Sequence, residues 1–196
     1  MDLKQRTSLQ KMKRSHVVIT GTGRTGTTFL VQLFTMLGYD TGYSKDCKSR
    51  LANSRSKDDC PFIVKDPRFC TYADQAISRA DIEIEHVLLP VRDIGAAVAS
   101  RCRNKGDRQG GGLWLTKVPD EQEQILLRLL SGLLVSLART NVPVTLLHYP
   151  TLVNNSMYLY DRLRPLLGII DYETFKIVFE RTVEKDWVHQ FNENDS

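Results

Sequence analysis

The chain of 196 residues lacks most of the features that would assign a function class at once. It has no apolar run long enough to cross a bilayer, so no membrane span is expected. Its four cysteines, Cys47, Cys60, Cys70 and Cys102, show no C-x-x-C spacing and no histidine close in sequence. That argues against a zinc site and a disulfide framework, and for unbridged thiols in a reducing cytoplasm. A global basic field is also missing. The net charge of +4 is carried by residues 1–14, where Lys4, Arg6, Lys11, Lys13 and Arg14 face only Asp2; 22 basic and 22 acidic residues remain. General affinity for nucleic acid is therefore not expected. Residues 1–14 contain no hydrophobic segment and no small-residue cleavage site, as expected of a basic flexible arm rather than a secretory leader. There is no internal repeat and no low-complexity block. Hydrophobic content of 41% supports a real core, and residues 15–190 read as one domain before a polar tail at 191–196.

What the chain does have is concentrated in residues 16–38, HVVITGTGRTGTTFLVQLFTMLG. The β-branched run Val17, Val18, Ile19, Thr20 suits a buried strand. Gly21-Thr22-Gly23-Arg24-Thr25-Gly26-Thr27-Thr28 follows, then an apolar helix from Thr27 to Leu37, stopped by Gly38. A strand, a glycine-rich turn and a helix make an anion site. Glycines let backbone N–H groups approach, and the helix start adds partial positive charge. The Gly21-x4-Gly26 spacing matches a nucleoside-triphosphate loop, but Thr27 stands where that loop has lysine. Arg24 puts a cation inside the turn instead. A terminal phosphate held by Arg24, backbone N–H groups and hydroxyls fits better than a magnesium-bound triphosphate. An empty tight turn is the plain alternative.

Three further places carry candidate chemistry. Phe62, Ile63 and Val64 form a short strand that ends in Lys65-Asp66-Pro67-Arg68; ligands of parallel sheets collect beyond such ends. These charges read as a site or as a surface salt bridge. A third strand, residues 84–91, ends at Arg92; Asp93 caps the next helix, which carries Ser100. Residues 143–149 give a fourth strand, with His148 and Tyr149 facing opposite ways. The rest reads as scaffold. A short helix covers residues 71–80, and the longest helix runs over 120–140 with leucines 126, 129, 130, 133, 134 and 137 on its apolar face. Two more helices span 155–167 and 172–182, the second capped by Asp171. Residues 39–61 and 101–117 read as loops, either acceptor-facing or simply solvated, with Trp114 assigned to the core. His86 reads as packing.

The turn Arg24-Thr25-Gly26-Thr27-Thr28 after a hydrophobic strand resembles the 5′-phosphate loop of the sulfotransferases that use 3′-phosphoadenylyl sulfate. Arg92 at a strand end, with Ser100 eight residues on, is similar to that family's 3′-phosphate site. Lys65-Asp66-Pro67 resembles the turn with which some members steady the sulfuryl group. The resemblance implies an α/β fold, a three-layer P-loop-type sandwich with a central parallel sheet of about four to five strands. It implies 3′-phosphoadenylyl sulfate as donor, adenosine 3′,5′-bisphosphate as product and no metal. Gly23, Arg24, Thr25, Gly26, Thr27, Thr28, Arg92, Ser100 and Tyr149 would bind the nucleotide, Tyr149 at adenine. Arg24, Lys65 and Asp66 would be catalytic, with Asp66 first among candidate bases and Asp40 and Asp46 behind it. Arg181 and Lys185 would supplement the 3′-phosphate site. The reaction implied is sulfuryl transfer to a hydroxyl or amine of a small-molecule, carbohydrate or peptide acceptor, inside the cytoplasm. A kinase-type phosphoryl transferase and a non-catalytic nucleotide-binding module are the alternatives.

Overall fold

A computed structural model of the chain describes residues 14–43, 60–103 and 112–183. Its strands are β1 (Arg14–Ile19), β2 (Ile63–Lys65), β3 (Ile82–Val91) and β4 (Val144–His148). They form one sheet in the order β2-β1-β3-β4, with every neighbouring pair parallel. The helices are α1 (Thr27–Met36), α2 (Ala73–Ile77), α3 (Ile94–Arg103), α4 (Pro119–Thr140), α5 (Thr151–Asn154), α6 (Ser156–Leu167) and α7 (Tyr172–Thr182). The expected α/β architecture, helices on both faces of a parallel sheet, is what is found.

The alternation of strand side chains builds both faces at once. Val17 and Ile19 enter the layer formed with α1, α5, α6 and α7, whose largest buried side chains include Leu30, Phe34 and Phe175. Val18, between them, enters the opposite layer with Phe69, α2 and Leu133 and Leu137 of α4. A strand buried on both faces needs apolar residues at every position, which is why β1 reads as a continuous β-branched run. Because β1 lies between β2 and β3, the chain leaves β1 toward one side of the sheet and later returns on the other. That reversal opens a crevice at the carboxyl end of β1.

Several boundaries differ from the sequence expectation. Arg14, assigned to the basic arm, opens β1 and donates its N–H to the Asp81 carbonyl; residues 1–13 lie outside the described residues. The single helix expected over 71–80 is a 3-10 turn, Phe69–Thr71, followed by α2, with Tyr72 at φ −145° breaking the run. The short helix α5 after β4 is an addition. Asp93 and Asp171 cap as expected, accepting from the N–H groups of Ala96 and Thr174 at 2.8 Å each. His86 is a packing residue, bonded through Nε2 to the Thr145 hydroxyl at 2.8 Å. Cys60, Cys70 and Cys102 are half-buried and in no disulfide, while Cys47 lies outside the described residues. Among the described residues, no helix is long and apolar enough to cross a membrane.

Candidate functional site at the carboxyl edge of the sheet

All four strands point their carboxyl ends at one edge, and the residues that follow them meet there. After β1 the turn reverses by taking left-handed backbone at Gly23 (φ 75°), Arg24 (φ 59°) and Gly26 (φ 90°). Gly26 has a second reason to be glycine: an added Cβ would lie 3.0 Å from Leu152 and 3.4 Å from the Tyr149 ring. Arg24 has no such freedom. A side chain in that region costs about 1–2 kcal/mol, so the surrounding contacts hold it there. Gly26 is also the residue before α1, and no side chain caps the helix start. The first-turn N–H groups of α1 therefore keep their donors for a guest.

The cations form one continuous arc around this turn. Arg24 Nε donates to the Ser100 hydroxyl at 3.1 Å, and Arg92 Nη1 donates to the Arg24 carbonyl at 3.3 Å. The Arg92 guanidinium lies 4.8 Å from the centre of the Tyr149 ring. From the other side, Lys65 Nζ donates to the Thr28 hydroxyl at 2.7 Å and lies 5.8 Å from the Tyr43 ring centre. The two motifs expected at opposite ends of a nucleotide are thus in direct contact through Arg24. Burial pushes the Arg92 pKa down, and the neighbouring Arg24 charge adds to that. Among the described residues no carboxylate pairs with Arg24. The Thr25 hydroxyl is fully buried and has no hydrogen-bond partner among the described residues.

Arg101 is the site residue that the sequence reading passed over as part of a basic loop. It is 5% exposed on α3. Its Nη2 donates to the Thr22 carbonyl and its Nη1 to the Gly112 carbonyl at 2.6 Å, while the guanidinium lies 5.4 Å from the Trp114 ring centre. Burial, with the Arg24 charge behind it, pushes its pKa down to about 10. An added Cβ on Gly23 would sit 2.3 Å from its Nη2. Trp114 is fixed in turn by Gln122, which is wholly buried and bonds both its N–H and, at 3.2 Å, its carbonyl. The signal was present: Ala97, Ser100 and Arg101 are the buried residues of α3, at i, i+3 and i+4.

The other expected residues fall as follows. Gly23, Thr27 and Thr28 lie in the turn and first helical turn, with Thr27 buried and Thr28 exposed. Asp66, the candidate base, lies just past the end of β2. It has no exposed surface, and its two oxygens accept from the Arg68 N–H at 2.9 Å and the Tyr72 hydroxyl. It braces the Pro67 turn, and with no exposed surface it is poorly placed to take a proton from an acceptor. Tyr149 reaches the site, but at 9% exposure its ring serves as a platform for Arg92. Trp114 is half-buried beside Arg101 rather than in either core layer. Asp40 is exposed, its carbonyl accepting from the Ile63 N–H at 3.0 Å. Arg181 is exposed on the last turn of α7; Asp46 and Lys185 lie outside the described residues.

No protein-family model matches this chain, and no curated protein matches it by sequence.

Proposed function

We propose that the chain transfers a sulfuryl group from 3′-phosphoadenylyl sulfate to a hydroxyl or amine of an acceptor, in the cytoplasm. The observation that carries the reading is the contact between its two motifs: Arg24 reaches Ser100 through its side chain and Arg92 through its carbonyl. One nucleotide bearing two phosphate groups would touch both. The residues fit such a guest. Left-handed backbone at Gly23, Arg24 and Gly26 wraps the turn, α1 starts uncapped, and the buried Thr25 hydroxyl lacks a partner among the described residues.

The donor would bring the sulfuryl group and a bisphosphate leaving group. Arg24, the hydroxyls of Thr27 and Thr28 and the N–H groups of α1 would bind the 5′-phosphate; Arg92 and Ser100 would bind the 3′-phosphate. Lys65, held on Thr28, sets an ammonium beside the 5′ end, where negative charge grows as the donor bond breaks; such fixed charges are the main lever in transfers of this kind. Holding both phosphates orients the reacting end. Asp66, wholly buried against Tyr72, is poorly placed to take the acceptor proton.

Calorimetry with the purified chain tests the reading. Adenosine 3′,5′-bisphosphate should bind in the micromolar range or tighter without metal, and ATP with magnesium should bind far more weakly. The reverse preference would turn the assignment to phosphoryl transfer. Turnover of labelled donor over an acceptor panel separates an enzyme from a module that only binds.

A further inference from the structure

Beyond the cationic arc, a groove of about 540 Å³ opens between the turn after β2 and the exposed side of α4. Its walls include Arg68, Trp114, Leu115, Arg128 and Gly132, and among the described residues no carboxylate lines it. The volume suits a small molecule of one or two rings.

Three features of this groove have no explanation within the protein's own packing. Gly132 sits inside the 22-residue helix α4, where glycine costs about 1 kcal/mol relative to alanine. An added Cβ there would meet nothing within 4 Å, so no neighbour requires the glycine, and its absence of a side chain only keeps the groove open. Leu115 holds left-handed backbone (φ 61°) while 64% exposed, a strained and solvated leucine on the opposite wall. Arg68 and Arg128 reach the groove from different elements, and among the described residues neither side chain has a hydrogen-bond or carboxylate partner. Trp114 supplies a flat apolar surface that Gln122 and Arg101 keep from moving.

We infer that this groove binds a small ring-bearing anion: the ring lies against Trp114 and Leu115 over Gly132, and its carboxylate, sulfate or phosphate meets Arg68 and Arg128. The chemistry follows from the lining. Two guanidinium groups without acids select negative charge, and their planar forks suit an oxyanion. The indole and leucine select a flat apolar face. The groove as a binding site stands by itself; its use as the acceptor site rests on the sulfuryl-transfer reading. Arg68 lies three residues beyond Lys65, and Trp114 is tied through Arg101 to the Thr22 carbonyl.

The test is calorimetric titration of the full chain with matched probes, in the absence and presence of adenosine 3′,5′-bisphosphate. One pair is 4-hydroxyphenylacetate against 4-ethylphenol; the other is phenyl glucuronide against phenyl glucoside. The anionic member of at least one pair should bind about tenfold tighter than its neutral partner at low salt, less so at high salt. The pair showing the preference identifies the ring as aryl or sugar. Arg68→Gln with Arg128→Gln should erase the preference while leaving neutral binding unchanged. Gly132→Leu should abolish binding of both members, and Gly132→Ala should raise the thermal midpoint, confirming that the position tolerates a side chain. Equal affinity for charged and neutral probes, no binding by either pair, or a preference that survives the double arginine change overturns the inference. Failure of the bisphosphate to bind counts against the sulfuryl-transfer reading alone, since the titrations without it still decide the groove.

Discussion

Replacing Gly23 by alanine probes the turn and its support together. The left-handed backbone at Gly23 (φ 75°) costs an alanine about 1 kcal/mol. The new methyl would also sit 2.3 Å from Arg101 Nη2, too close to coexist with it. An exposed arginine would swing aside without cost. Arg101 is 5% exposed and held by the Thr22 and Gly112 carbonyls, so moving it breaks at least one charged hydrogen bond, about 1.5–3 kcal/mol. Gly23→Ala should therefore lower stability by about 2.5–4 kcal/mol in urea denaturation. The two contributions separate in a double-mutant cycle. With Arg101→Met in the background, Gly23→Ala should cost only the backbone share, about 1 kcal/mol, giving a coupling of about 1.5–3 kcal/mol. If Gly23→Ala costs the same in both backgrounds, the Arg101 guanidinium does not brace the turn and its place in the site is refuted.

Arg92→Ala removes a cation from the arc and should weaken adenosine 3′,5′-bisphosphate at least tenfold by calorimetry, the scale of one charge-assisted contact of about 1.5–3 kcal/mol; unchanged affinity takes Arg92 out of the site. Asp66→Asn turns one acceptor into a donor against the Arg68 N–H or the Tyr72 hydroxyl and should cost about 1–3 kcal/mol of stability with bisphosphate affinity intact. Loss of turnover at unchanged stability would instead restore Asp66 as the base. His16 is 1% exposed, its Nδ1–H donating to the Pro61 carbonyl at 2.8 Å, and burial holds its pKa below 6.5. The unfolded chain then takes the proton more readily than the folded one, so stability is complete above about pH 6.5 and falls as pH drops below it. Urea midpoints between pH 7.5 and 5.5 should show this slope, and His16→Gln should flatten it; an unaltered slope assigns the effect to another group.

Much of the edge that holds the site was legible because local chemistry fixed it. A β-branched run followed by closely spaced glycines specifies a strand, a reversal and a helix before any tertiary contact forms. Asp93 and Asp171 announce helix starts through their own side chains. What escaped depends on how an irregular turn folds back on itself or on how far a layer extends. Asp66 looked available because nothing near it in the chain reveals that Tyr72, on the far side of the 3-10 turn, closes over it. Leu134 belongs to the apolar stripe of α4 yet is 37% exposed, and Leu146 on the edge strand β4 is 45% exposed. Trp114 carried no periodicity to show whether it faced a core or a groove. Arg101 was hidden by composition: among Arg101, Arg103, Lys105 and Arg108 it looks like one more solvated charge. Only its phase on α3 distinguishes it.

That phase separates two kinds of arginine at one edge. A peptide group is planar and trans, so its carbonyl and the next residue's N–H point in opposite directions. Arg101 takes the Thr22 carbonyl, which turns the Gly23 N–H away from the guanidinium, and the same guanidinium takes the Gly112 carbonyl beside Trp114. Its Nη1 and Nη2 go to backbone, while its buried Nε has no hydrogen-bond partner among the described residues; the guanidinium shapes the turn and joins it to the groove wall. Arg24 spends Nε on Ser100 and remains half-buried at the mouth, without a carboxylate partner among the described residues. Burial lowers the pKa values of Arg92 and Arg101, and repulsion from the Arg24 charge adds to it in each. An anion binding among them would relieve that repulsion. A body with balanced total charge can therefore hold a strongly positive site, provided its arginines are gathered by the fold and its carboxylates, like Asp66, are turned inward and occupied.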